Sequence, residues 1–138
     1  MRLWIDTEFN EFKGGLISLG LVDESGRIFY EVLHCGNPGP WVAANVIPRL
    51  GQAPIPLLEL QGRLWRFLGR YDSIHVIADW PEDIKHFCDA LILGPGQRID
   101  TPPLTMEVRR DLDSSKSAVP HNALYDALAI RSMALGLP

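Results

Sequence analysis

Residues 2–9 read Arg2-Leu3-Trp4-Ile5-Asp6-Thr7-Glu8-Phe9. Side chains along a strand alternate between two faces. One face of this segment therefore carries Leu3 and Ile5, and the other carries Trp4, Asp6 and Glu8. Apolar residues on both faces at positions 3–5 predict a central strand, and Asp6 and Glu8 then lie side by side on one face of it. Two neighbouring carboxylates repel each other, and a divalent cation neutralises such a pair most effectively. The same pair on a short, wet strand end would simply be solvated. The segment alone leaves both readings open.

Working outward, Gly14-Gly15 interrupts the chain, and residues 16–22 and 27–33 read as two more strands separated by the turn signal Asp23-Glu24-Ser25-Gly26. Three consecutive strands predict an antiparallel meander. Cys35-Gly36-Asn37-Pro38-Gly39-Pro40 is a loop by composition, and a short helical stretch follows over about 41–50. Leu57, Leu60, Leu64, Phe67 and Leu68 recur at helical spacing. Residues 73–78 read as a buried strand. The helix beyond it carries Ile84, Phe87, Cys88 and Leu91 on one face and ends at Gly94-Pro95-Gly96. A short strand is expected over 98–101, a mobile polar loop over 111–119, and a last helix from about His121 to Leu135 with Gly136 as its stop. This order predicts an α/β domain: a mixed five-stranded sheet, its first three strands antiparallel, flanked by helices.

The chain has 138 residues, enough for one core and too few for two, so a single domain over 1–138 is expected. Apolar residues make up 46% and charged residues 22%, which fits an ordinary globular protein and excludes a disordered one. No apolar run is long enough for a membrane span. The N-terminus enters the strand pattern at once and shows no signal-peptide pattern. Its two cysteines, Cys35 and Cys88, form no CxxC. The expectation is a cytoplasmic protein with reduced thiols. A net charge of −4 argues against gripping long nucleic acid through a basic surface. If four carboxylates, Asp6 and Glu8 among them, were held by cations, the remaining charge would be neutral, which is compatible with binding through cations in a local cleft.

Two further acidic signals stand downstream. In His121-Asn122-Ala123-Leu124-Tyr125-Asp126 the His and Asp are five residues apart, about 140° around a regular helix. The spacing makes sense if His121 sits at or before the first helical position and Asp126 projects from the helix body. Taken alone, His121 reads first as an exposed residue near a helix start and Asp126 as a solvated helix acid. Asp83 falls in the first turn of the helix after the buried strand, where open sheets place functional groups. It would also be a favourable helix N-terminal charge. Asp79 competes for the same role, but Asp79-Trp80-Pro81-Glu82 resembles a capping box with Asp79 as N-cap, which leaves Asp83 as the ligand candidate.

Taken together these residues resemble the DEDDh-type 3′–5′ exonucleases of the ribonuclease H-like superfamily. Asp6-Thr7-Glu8 matches the first D-x-E motif, the segment ending at Asp83 the second, and His121 to Asp126 the H-x-x-x-x-D of the third. The likeness runs from residue 3 to about 133. It extends to small RNase AS-like exoribonucleases through Trp41-Val42 and Val46-Ile47-Pro48-Arg49-Leu50. The departure is in the second motif, where Asp79 stands in place of the family's Asn and Glu82 in place of an aromatic residue. The resemblance implies a ribonuclease H-like fold. It implies two divalent cations, Mg²⁺ or Mn²⁺, held by Asp6, Glu8, Asp83 and Asp126, with His121 as general base and Glu8 near the terminal 3′ hydroxyl. It further implies hydrolysis of single-stranded nucleic acid, RNA in the first place, from the 3′ end to nucleoside 5′-monophosphates, by a protein that dimerises. Phe9, Trp80 and Lys116 are candidate substrate contacts, with Arg109 and Arg110 nearby. The alternatives are a ribonuclease H-type endonuclease or phosphoesterase on the same fold, or an inactive nucleic-acid-binding module.

Overall fold

Strand β1 (Arg2–Phe9) runs through the middle of the sheet, as a strand apolar on both faces should. The computed structural model describes residues 1–138. β1 pairs antiparallel with β2 (Leu16–Asp23), which pairs antiparallel with β3 (Ile28–Val32). On its other side β1 runs parallel to β4 (Ile74–Ala78), which is parallel to β7 (Leu104–Val108). The sheet order is β3-β2-β1-β4-β7, so the chain is α/β with a mixed five-stranded sheet.

The alternation in β1 sorts two cores. Leu3 and Ile5 enter the larger one with Leu60, Leu64, Phe67, Leu68, Phe87 and Leu91. These come from α2 (Leu57–Leu68) and α3 (Pro81–Leu91). Trp4 enters a smaller core with Val22, Ile77, Leu112, Ala127 and Ile130, the last two from α4 (Ala123–Leu135). Helices therefore cover both faces, and the parallel pairs gain the long crossovers they need. The expected helical stretch at 41–50 is split into α1 (Pro40–Asn45) and a 3₁₀ turn, Ile47–Arg49. Pro48 has no N–H to continue an α-helix there.

The strand expected at 98–101 is a correction. β6 (Gln97–Arg98) pairs only with β5 (Ile92–Gly94), in a separate two-stranded ribbon that directly follows the end of α3 at Leu91. Ile99 turns into the larger core, and its N–H donates to the Leu91 carbonyl at 2.7 Å. Pro102 and Pro103 cannot donate to a ladder, and the sheet's fifth strand begins just after them. Residues 111–119 form turns, with Asp113 accepting from the Ser115 N–H and hydroxyl. No helix is long and apolar enough to cross a membrane.

Candidate active site

Asp6, Thr7 and Glu8 lie where β1 outruns its parallel partner. The recorded β1–β4 pairing ends at Trp4↔Ile77, which frees the backbone beyond it. The Thr7 N–H donates to Asp83 Oδ1 at 3.1 Å and the Thr7 hydroxyl donates to the same oxygen at 2.6 Å. Asp83 is thereby tied to the strand between the two first-motif acids. Across the sheet, Asp6 stands opposite Gly20 on β2. A Cβ on Gly20 would lie 2.6 Å from the Ala123 carbonyl group and 2.7 Å from the Leu124 nitrogen. The missing side chain lets the first turn of α4 rest on the sheet, and this brings Asp126 to Asp6.

The start of α4 is fixed by Asn122, which is buried and is the N-cap. Its side-chain oxygen accepts from the N–H groups of Leu124 and Tyr125, at 3.0 and 3.3 Å. Its amide donates to the Arg49 carbonyl at 2.8 Å and to the Tyr30 hydroxyl at 3.3 Å. His121 therefore precedes the helix, at φ 68°, the left-handed region that side chains enter reluctantly. Its N–H donates to Asp126 Oδ2 at 3.2 Å. Its ring meets Trp41 edge-on, with centroids 4.9 Å apart. The five-residue spacing is thus closed into one unit by a backbone-to-carboxylate hydrogen bond.

The capping box is overturned. α3 has Trp80 as N-cap and Pro81 at its start, with no side-chain cap. The physical reason is Pro81 itself: the residue before a proline is driven out of the helical region. Trp80 is accordingly extended, at φ −133° and ψ 138°, so Asp79 cannot serve as the cap one residue earlier. Glu82 instead accepts from Trp80 Nε1 at 3.1 Å. Asp79 is left free to face the acidic cluster.

That cluster consists of two overlapping groups. Asp6, Glu8 and Asp126 each offer a carboxylate oxygen, all within 4.8 Å of one another, and Asp6, Asp79 and Asp83 do the same. Asp6 Oδ2, Asp83 Oδ2 and Asp126 Oδ1 are buried with no hydrogen-bond partner. Burial, then the charges of Asp83, Glu8, Asp126 and Asp79, push the Asp6 carboxyl well above its usual range. Burial and the Asp126 and Asp83 charges push Glu8 up to about 8. Burial, despite the Thr7 hydrogen bonds, pushes Asp83 up to about 7. Burial also raises Asp79, against the Arg110 charge, and Asp126, against Ser117 and the His121 N–H. Without a counter-charge Glu8 and Asp83 would hold protons near neutral pH. The donor set is all oxygen, which suits a hard divalent cation such as Mg²⁺ or Mn²⁺ better than zinc.

The expected substrate contacts are less uniform. Phe9 stacks on His86, with centroids 4.7 Å apart. Trp80 is 46% exposed, but one face carries the Arg110 guanidinium, 4.7 Å from the ring centroid. Arg110 also donates to the Asp79 carbonyl, while Arg109 pairs with Asp111. Lys116 lines a cavity of about 480 Å³ between residues 113–118 and α4, and no recorded contact brings it to the carboxylates.

Two proteins of Mycobacterium tuberculosis are similar to this chain. They come from strains CDC 1551 / Oshkosh and ATCC 25618 / H37Rv, and each is named as a 3′-5′ exoribonuclease. Each is 32% identical over 103 residues, covering 58% of this chain and 61% of the relative. The match therefore spans about three fifths of the relatives' length. No protein-family model matches the chain.

Asp79 competed with Asp83 in the sequence and lost to it only through the box pattern, although the proline two residues later carried the correction. Three residues that position the cluster escaped the sequence reading. Gly20 was legible as a glycine inside a strand, which signals close backbone approach. Asn122 was legible as a preferred N-cap residue directly before an apolar helical run, and Thr7 had no signal of its own beyond standing inside the first motif.

Proposed function

We propose that this chain is a divalent-cation-dependent 3′–5′ exonuclease of the DEDDh type, on a ribonuclease H-like fold, acting on RNA. The observation that carries the reading is the set of buried, unpartnered carboxylate oxygens on Asp6, Asp83 and Asp126. A buried carboxylate with no partner must hold a proton or meet a cation, and three such oxygens converge here. The names of the two similar proteins support the substrate class. Asp6, Glu8, Asp83 and Asp126 would hold two cations, Mg²⁺ or Mn²⁺. Bound there, these would supply Lewis-acid activation of the phosphodiester and stabilise its developing charge.

The chain's own residues do the rest. His121, outside the helix and tethered to Asp126 through its backbone, takes the proton from the attacking water. The Trp41 contact limits where its ring can go. Glu8 faces the 3′-terminal hydroxyl and orients the last nucleotide. Attack at phosphorus breaks the bond to the 3′ oxygen of the preceding nucleotide, so the phosphate leaves on the 5′ side of the released residue. The test is a 5′-labelled single-stranded RNA incubated with Mg²⁺. Stepwise shortening to nucleoside 5′-monophosphates, blocked by a 3′-terminal phosphate, is expected. Internal fragments insensitive to that block would overturn the exonuclease reading in favour of an endonuclease.

A further inference from the structure

We infer that Asp79 is a fifth carboxylate of the site and completes a second cation position with Asp6 and Asp83. The inference rests on the reading of this site as a cation-dependent nuclease centre. Asp6 belongs to both oxygen groups, so it stands between two positions. The first is closed by Glu8 and Asp126, the second by Asp79 and Asp83.

Proximity of acids is not enough, and an independent observation points at the second position. Asp83 is only 2% exposed. Thr7 saturates its Oδ1, while its Oδ2 is buried with no partner. Asp6 Oδ2 is in the same condition. Both residues belong to the group that Asp79 completes.

Asp79 feels its own backbone N–H and the Arg110 charge, but it forms no ion pair. It does not cap α3. The cation beside it, Arg110, places its guanidinium on the Asp79 carbonyl and over the Trp80 ring. The backbone under Asp79 is held firmly, because the Arg109 N–H donates to the Ala78 carbonyl at 2.7 Å and Arg110 grips the next carbonyl. The carboxylate is therefore presented from a fixed point at the end of β4.

Charge then decides the consequence. A neutral amide at position 79 would leave the second position with two carboxylates, and Asp79 gives it three. Affinity for hard cations rises with the number of charged oxygen ligands. The second position in this chain therefore fills without needing a substrate phosphate as a ligand.

Calorimetric titration of the metal-free full chain with Mn²⁺, in the absence of nucleic acid, tests this. Wild type should bind two ions, and Asp79→Asn should bind the second at least about tenfold more weakly. Spin coupling between paired Mn²⁺ ions, read by electron paramagnetic resonance, should be present in wild type and lost in Asp79→Asn. The variant removes a repelling charge, so its melting temperature in chelator should equal or exceed that of wild type. If Asp79→Asn takes up two coupled ions with wild-type affinity, Asp79 is not a ligand and the inference fails alone. If wild type takes up no Mn²⁺, the nuclease reading fails with it.

Discussion

Asp6 Oδ2 is buried and accepts no hydrogen bond, while four other carboxylates raise the proton affinity of its group. Removing that charge should therefore relieve the metal-free protein. Asp6→Asn is expected to raise the melting temperature in chelator and to abolish the further rise that Mn²⁺ gives wild type, with no nuclease activity left. A lower melting temperature in chelator, with the Mn²⁺ response intact, would mean that Asp6 is an ordinary hydrogen-bonded acid. His121 belongs to a different class. His121→Ala should cost roughly 10²–10⁴ in turnover while Mn²⁺ affinity, measured calorimetrically, stays near wild type. At this scale the sequence was informative where period and spacing decide, as for Asp6, Glu8 and the His121–Asp126 pair. It misled on the start of α3, because a four-residue capping pattern was weighed without the restriction that Pro81 places on Trp80.

At the scale of elements, the site depends on how closely α4 lies on β2. Gly20→Ala puts a methyl within 2.6 Å of the α4 backbone, and the rigid partner here is main chain, so the helix must lift. The expected cost is about 1–3 kcal/mol in denaturant unfolding, with weakened Mn²⁺ binding because Asp126 retreats from Asp6. Stability and Mn²⁺ binding both unchanged would show that α4 can shift without affecting the site. Asn122→Ala removes the cap and strands the Arg49 carbonyl, costing about 0.5–2 kcal/mol and loosening the turn that carries His121. The elements themselves were largely legible, because β1 and α2 announce their periods over many residues. β7 was not: Leu104–Val108 is short and follows two prolines, and its pairing with β4 is a long-range fact that no local pattern contains.

Across the whole molecule, the acids make metal-free stability depend on pH with a definite sign. Glu8 moves from 4.5 to about 8 in the fold, and Asp83 from 3.8 to about 7. A raised acid binds its proton more tightly folded than unfolded. Its stabilising effect is complete below the unfolded value and is lost as pH rises through the folded one. The chelated protein should therefore lose stability between about pH 4.5 and 8. Divalent cations should release protons on binding and stabilise more strongly as pH rises, which thermal melts across that range will show. A chelated protein that gains stability toward pH 8 would contradict the buried-acid account. The α/β architecture with a mixed sheet follows from element order. The convergence of five acids from β1, the end of β4, α3 and α4 is a product of tertiary packing.

The most direct measurement compares release of the 3′-terminal nucleotide from a short single-stranded RNA by wild type and by Asp126→Asn, each with Mg²⁺ and after chelation. Rapid release by wild type in Mg²⁺ alone, with loss of activity in the chelated enzyme and in the variant, is the predicted result. Release that persists after chelation, or in Asp126→Asn, would contradict the assignment of the carboxylate cluster as a cation-dependent nuclease centre.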